Sequence, residues 1–279
     1  MDKVAIFYNP RKTEAASKAA ILAEAFTELG LESVVNETKR SSGDWGIIDS
    51  SFNFAIALGG DGTFLLASKQ VLAHEIPLLG VNFGHLGFLS EYGDIEMQEL
   101  ASEIKNKNFQ IETRTVLQAE VPEEKIKVFA LNDIAVNRSL SSNLLYTDLF
   151  VDGDLLHSFR SDGIIISTPT GSTAYALSAG GAVMDPNIHA FQIVPIAAHS
   201  LNSRPHVISD NQEIVLESKD GNAPFVMQAD GQELITLNPG TKIKFSKSKH
   251  SLKLAKLTKR YRSFYSILRD KMKWGSISN

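Results

Sequence analysis

The sequence predicts an α/β unit on a parallel sheet, followed by a mostly antiparallel, all-β unit. Three observations carry that prediction. Up to about residue 105, short apolar runs alternate with helical periodicity, the pattern of strand–helix–strand crossovers. From about 110 to 245 the pattern changes to short apolar runs parted by turn signals such as Asp152-Gly153-Asp154, Asp220-Gly221-Asn222 and Pro239-Gly240. Near the end, a single helical stretch returns. The expected division is therefore residues 1–105 for the α/β domain and 106–258 for the β-rich domain, with a C-terminal helical segment, 259–279, packing back on the first.

Taken in order, residues 3–8 read as a strand that Asn9-Pro10 breaks. Residues 13–29 form an alanine-rich helical pattern that stops at Gly30, a residue suited to a helix C-terminus. Residues 31–36 read as a second strand, and Ser41-Ser42-Gly43-Asp44 as a loop. Phe54-Ala55-Ile56-Ala57-Leu58 is unbroken apolar, as in a strand covered on both faces. Gly59-Gly60-Asp61-Gly62-Thr63 then turns into a helix from Phe64 to about Leu72. Another apolar strand, residues 76–81, leads into Asn82-Phe83-Gly84-His85-Leu86-Gly87-Phe88-Leu89, and residues 95–106 form a helix rich in Glu and Lys. The β-like runs that follow are 111–121, 126–136, 144–152, 163–168, 192–197, 213–218, 225–229 and 242–246, and the terminal helix is 263–273.

Composition narrows the function. The chain has 279 residues, 43% hydrophobic and 22% charged, which fits one or two ordinary globular domains. No apolar run approaches the roughly 20 residues of a membrane helix, and the first residues enter a strand directly, so neither membrane span nor signal peptide is expected. With no cysteine, disulfides, thiolate zinc sites and cysteine nucleophiles are excluded, and a cytoplasmic location is the expectation. A net charge of −4 argues against a general nucleic-acid binder. The charge is uneven: twelve Lys/Arg stand against the single acid Asp270 between Lys242 and Lys273. Alternating lysines on the solvent face of an edge strand, followed by an amphipathic helix, explain that segment; cations facing an anionic ligand are the alternative.

The strongest chemical signal is Gly59–Thr63. Three glycines between a strand and a helix let the backbone approach a bulky anion, and the first N–H groups of the helix point at it. A carboxylate inside such a cradle makes sense as a proton acceptor or a metal ligand, so the turn is a candidate phosphoryl-transfer site. Gly-x-Gly-x-x-Gly and Gly-x4-Gly-Lys-Ser/Thr are both absent, which removes the standard dinucleotide fingerprint and the P-loop. Thr168–Gly181 is the second signal: eight of its fourteen residues are Thr, Ser or Gly, a poor core segment but a good lining for a polar, planar ligand such as a nucleoside. Asn132-Asp133 inside an apolar run costs stability unless partnered; it reads either as a bulge or strand end with both side chains in water, or as a pair of hydrogen-bonding groups for a ribose. Gln228-Ala229-Asp230-Gly231-Gln232 is a weaker signal, because Asp-Gly mostly marks a hairpin turn. The seven histidines show no ligand spacing, so a protein-built zinc site is not expected.

Gly59–Thr63, Asn132-Asp133, Arg160-Ser161-Asp162-Gly163 and Thr168–Ser178, together with Phe83–Leu89, resemble the motifs of the NAD kinase family in order and spacing over nearly the whole chain. The resemblance implies a Rossmann-like α/β domain and a β domain, with NAD in the cleft. It implies transfer of a phosphoryl group from ATP or polyphosphate, with Mg²⁺ or another divalent cation, to the 2′-hydroxyl of the adenosine ribose of NAD, forming NADP. It further implies a homodimer or homotetramer, while the net charge and the short apolar runs lead to the expectation of no nucleic-acid and no membrane partner. The residue matching the family's general base is Asp61, and Gly59, Gly60, Gly62 and Thr63 would bind phosphates. Asn132, Asp133, Asp162, Thr173, Ala174, Tyr175 and Ser178 match NAD contacts, with Ala176 and Leu177 in the same segment and Arg160 and Gln232 near the ligand. Two positions depart from many relatives: Leu66 stands where they carry Arg, with Lys69 one turn on, and Asp133 where they carry Glu. A lipid or sugar kinase with the same glycine turn, and a non-catalytic NAD(P)-binding sensor, are the competing readings; the polar 168–178 segment opposes a lipid acceptor, and the presence of Asp61 opposes the sensor.

Overall fold

The computed structural model describes residues 3–38, 48–84, 86–93, 95–139, 144–200, 202–219 and 223–273, so the expected loop at 41–44, His85 and the 220–222 turn lie outside the described residues. The chain forms two compact units, Met1–Thr113 with Leu252–Asn279, and Arg114–Ser251.

The first unit is built on a six-stranded sheet of order β2-β1-β3-β4-β18-β5. Its strands are β1 (Lys3–Tyr8), β2 (Glu32–Glu37), β3 (Phe54–Leu58), β4 (Leu78–Val81), β5 (Phe109–Arg114) and β18 (Leu252–Leu257). The pairs β1–β2, β1–β3, β3–β4 and β4–β18 are parallel. Alternate residues face opposite sides. Val4, Ile6, Phe54, Ile56, Leu58, Leu79 and Val81 pack under α1 (Thr13–Glu28) and α3 (Met97–Lys105) through Leu22, Phe26, Leu100 and Ile104. On the other face, Ala55, Ala57 and Gly80 are small, and Phe64 of α2 (Asp61–Val71) fills the room they leave: a Cβ on Gly80 would sit 2.9 Å from its ring. The helix after the glycine turn thus starts at Asp61, three residues earlier than the apolar pattern suggests. The last helix, α5 (Phe264–Met272), is capped by the Ser263 hydroxyl accepting from Ser266 N–H. It returns to this unit, where Lys271 Nζ donates to Leu86 O at 2.6 Å.

The second unit is a sandwich of two antiparallel six-stranded sheets, β10-β9-β14-β17-β6-β7 and β13-β12-β11-β8-β15-β16. The first holds β6 (Leu117–Val121), β7 (Ile126–Ala130), β9 (Leu145–Val151), β10 (Asp154–Ser161), β14 (Ile214–Ser218) and β17 (Lys242–Lys247). The second holds β8 (Asp133–Arg138), β11 (Gly163–Ser167), β12 (Ala190–Ile196), β13 (His206–Ser209), β15 (Phe225–Ala229) and β16 (Glu233–Leu237). One core joins them, with Leu117, Leu149, Phe159 and Phe245 from one sheet meeting Ile134, Ile164, Phe191 and Phe225 from the other. Ile165 points the opposite way and is covered by Ala176 of the one-turn helix α4 (Tyr175–Ser178), which explains why Ile164-Ile165-Ile166 is apolar throughout.

Several expected elements take a different form. The run 111–121 is two strands, β5 in the first unit's sheet and β6 in the second's. The run 126–136 breaks at Leu131-Asn132, because the Asp230 carboxylate rather than a neighbouring strand takes the backbone N–H groups of residues 131–133. The strands β10, β13 and β16, absent from the expected runs, lie at sheet edges. The lysine-rich β17 is not an edge strand; it lies between β14 and β6. The basic segment is largely paired with acids, for example Lys242–Glu217, Lys253–Glu75, Lys259–Glu103 and Arg260–Glu99. Among the described residues no helix is long and apolar enough to cross a membrane.

Candidate active site

In the first unit the parallel register sets three chain turns side by side. Tyr8 and Val81 both pair with Leu58, so Asn9, Gly59 and Asn82 leave the sheet together. Gly59 N–H donates to Val81 O at 2.8 Å and Asn9 N–H to Leu58 O at 3.3 Å, which closes the edges of the glycine turn. A Cβ on Gly59 would lie 2.2 Å from Thr63 Oγ1, so only glycine lets the turn fold onto the buried Thr63. Gly60 is the N-cap of α2, with no side chain capping it.

Asp61 does not extend into solvent. Its Oδ1 accepts from Ser90 Oγ at 2.7 Å, Ser90 N–H at 3.1 Å and Leu89 N–H at 3.2 Å, and its Oδ2 accepts from Phe88 N–H at 2.9 Å. Four donors hold the carboxylate in one orientation, and Oδ2, with a single donor among the described residues, keeps acceptor capacity. Gly87 makes the approach possible, since a Cβ there would lie 2.1 Å from Asp61 Oδ1. Sequence reasoning missed Ser90 and the role of Gly87; the signal available was the Gly84-His85-Leu86-Gly87 spacing after a buried strand. Behind this turn, Lys256 Nζ meets Glu91 Oε1 at 2.8 Å with both side chains buried. Burial pushes the Glu91 carboxyl up, and Lys256 partly offsets it.

In the second unit, register again does the assembly. The first residue of β8, Asp133, pairs with Ser167 at the end of β11, and Ile134 pairs with Ala229 at the end of β15. The hydroxyl-rich segment and Asp230 therefore emerge beside Asn132-Asp133. Asp230, buried and at φ +51°, accepts N–H bonds from Leu131 (3.0 Å), Asn132 (2.8 Å) and Asp133 (3.3 Å). From the other side, Thr168 N–H donates to Asn132 O at 2.9 Å and Thr168 Oγ1 to Leu131 O at 2.5 Å, and a Cβ on Gly171 would lie 2.0 Å from Asn132 O. The Asn-Asp pair is clamped between a carboxylate and a turn. The Asp133 carboxyl is pushed up to about 7, first by burial and then by the charge of Asp230, against the pull of the Tyr175 backbone N–H.

The other expected residues divide. Thr173 and Ala174 are half-buried and Tyr175 and Ser178 exposed, all on the turn that also clamps Asn132, with half-buried Leu177 beside them. The Ala176 side chain is fully buried against Ile165, Ala135 and Val194 and supports the turn from below. Gln232 closes the Asp230 turn through its N–H to Ala229 O at 3.1 Å. Asp162 and Arg160 stand apart. Asp162 precedes β11, at the end opposite Ser167, and pairs with Arg138 at 2.6 Å. Arg160 lies on β10 and stacks on Tyr146, donating to its hydroxyl at 2.8 Å. Asp230 was only a hairpin signal in the sequence; its buried role depends on a contact about a hundred residues away.

A glycine turn with a captive carboxylate in an α/β unit, and a hydroxyl-rich turn clamped on an Asn-Asp pair in a β unit, define a nucleotide-handling phosphotransferase. The family profile of the ATP-NAD kinase N-terminal domain matches residues 4–109, and that of the ATP-NAD kinase C-terminal domain matches residues 131–257. An NAD kinase of Bacteroides fragilis is 35% identical, covering 99% of both chains, and one of Pseudomonas entomophila is 38% identical over 80% of this chain and 76% of its own. A solved NAD kinase of Archaeoglobus fulgidus in complex with ATP is 26% identical and superposes with a TM-score of 0.76, covering 96% of this chain and 98% of its own. A yeast NADH kinase complexed with NADH, 23% identical, shares the fold with a TM-score of 0.81 over 99% of this chain and 89% of its own. The chain belongs to the NAD kinase family. Its activity is the phosphorylation of NAD to NADP.

Proposed function

We propose that Asp61 is the general base, taking the proton of the 2′-hydroxyl of the NAD adenosine ribose as a donor phosphoryl group arrives at the Gly59–Thr63 turn. The observation that carries this reading is the held carboxylate: four donors from residues 88–90 fix it, and Oδ2 retains the capacity to accept another hydrogen bond. A base already oriented contributes through position as well as proton transfer, an effect of about 10²–10⁴-fold. The N–H groups at the start of α2 suit phosphate oxygens. Asn132 and Asp133 would hold the ribose hydroxyls, while Thr173, Ala174, Tyr175 and Ser178 would frame the adenine.

The phosphoryl donor is read as ATP, the ligand of the A. fulgidus relative, with polyphosphate as the second donor to test. Among the described residues no three His, Asp or Glu side chains gather to hold a metal. The divalent cation, Mg²⁺, would enter on the donor phosphates. The reading also carries a homodimer or homotetramer, which light scattering would count.

The test is NADP formation from NAD and Mg²⁺ with ATP or polyphosphate, read through an NADP-specific dehydrogenase, for the wild type and Asp61→Asn. The variant is expected to bind NAD and to lose turnover by at least about 10²-fold. Unchanged turnover would remove Asp61 from the mechanism.

A further inference from the structure

We infer that Lys12 is a phosphate-binding residue of this enzyme: its ammonium, set beside Gly60 by the first strand-to-helix turn, receives a phosphate oxygen of one of the two reactants. The inference rests on the proposed role of the glycine turn and adds a cation to it. Lys12 is the N-cap residue of α1, and its backbone N–H donates to Asn9 O at 3.0 Å. Because Tyr8 pairs with Leu58, this turn lies next to the glycine turn, and the Lys12 side chain crosses to it. The ammonium donates to Asn82 Oδ1 at 3.1 Å. A Cβ on Gly60 would lie 3.9 Å from the ammonium and 3.8 Å from the Asn82 amide nitrogen, so both groups flank the space that the missing side chain leaves.

Charge is the deciding point. Asn82 is neutral, and among the described residues no carboxylate forms an ion pair with Lys12. Asp61, the acid of α2's first turn, directs its oxygens to residues 88–90 instead. Among the described residues, the positive end of α2 and a lysine ammonium are therefore neighbours with no carboxylate paired to that ammonium. Two positive groups repel when held together, and an anion between them turns that repulsion into attraction to both. Lysine presents a compact charge with three donors: one is used by Asn82, which aims the group, and among the described residues two remain for an oxyanion. The shared chemistry is a phosphate oxygen, and it belongs either to the donor's polyphosphate or to the pyrophosphate of NAD.

Steady-state NADP formation with wild type, Lys12→Met, Lys12→Arg and Asn82→Ala, varying ATP and NAD in turn, tests the inference. Lys12→Met is expected to raise one KM about tenfold or more, with Lys12→Arg recovering most of the loss and Asn82→Ala falling between them. A rise for ATP assigns the oxygen to the donor, and a rise for NAD assigns it to the dinucleotide. Independently of activity, inorganic tripolyphosphate should protect Lys12 from amine acetylation, read by mass spectrometry on the intact enzyme. Both KM values within twofold of wild type, or losses equal in Lys12→Met, Lys12→Arg and Asn82→Ala with no protection, overturn the inference. An inactive wild type would instead overturn the reading of the reaction, and the protection assay would still decide the fate of Lys12.

Discussion

Replacing Asp133 with Asn should stabilise the protein at neutral and alkaline pH while weakening its grip on NAD. Asp133 is 5% exposed at the start of β8, beside the buried Asp230 carboxylate. Burial and that neighbour push its carboxyl from 3.8 to about 7. A raised carboxyl binds its proton more tightly in the folded state than in the unfolded chain. Its contribution to stability is therefore fully present below the unfolded value near 4 and is lost as pH rises through about 7. At about 1.4 kcal/mol per pH unit, the difference between the two ends is about 4 kcal/mol. Asparagine resembles the protonated acid: its oxygen still accepts the Tyr175 N–H, and it carries no charge to repel Asp230. The variant should thus exceed the wild type by about 4 kcal/mol at pH 8 and match it near pH 4, with the gap closing mostly between pH 7 and 4. Urea unfolding of both proteins at pH 4.5, 6, 7 and 8 measures this, and titrations shared by the two proteins cancel in the difference. A stability difference independent of pH would refute the reasoning.

Two other substitutions probe the carboxylate cage and its support. Gly87→Ala places a methyl group 2.1 Å from Asp61 Oδ1 and 2.7 Å from Ser90 Oγ, so the carboxylate must shift; turnover should fall about 10²-fold with NAD binding retained by calorimetry, and wild-type turnover would show that the position of Asp61 is not critical. Lys256→Met leaves Glu91 buried and unpaired, with Oε2 already lacking a hydrogen-bond partner. It should cost about 3–5 kcal/mol in urea unfolding at pH 8, and a Lys256→Met/Glu91→Leu double variant should recover most of it. A loss below about 1 kcal/mol would mean that water or Arg262 compensates the charge.

The sequence by itself determined the class of each half, because period and length of apolar runs are local properties. Phe54–Leu58 announces a strand covered on both faces, and Gly59–Thr63 announces a strand-to-helix turn open to an anion. The residue types at 132–133 and 168–178 marked polar groups that a core would not tolerate without partners. What the sequence could not specify were the partners, because those are long-range. Only the folded chain shows that Asp61 is held by residues 88–90, that Asp230 reaches back to the N–H groups of 131–133, and that Lys12 crosses to Asn82 and Gly60. Strand β18 likewise returns to the first unit's sheet beside β4 although its lysine-spaced residues resemble the β-rich segment before it. Each of these follows from strand register, which aligns turns far apart in sequence. A one-residue slip would turn every side chain to the other face, so register is decided by the packed core as a whole rather than by any segment alone.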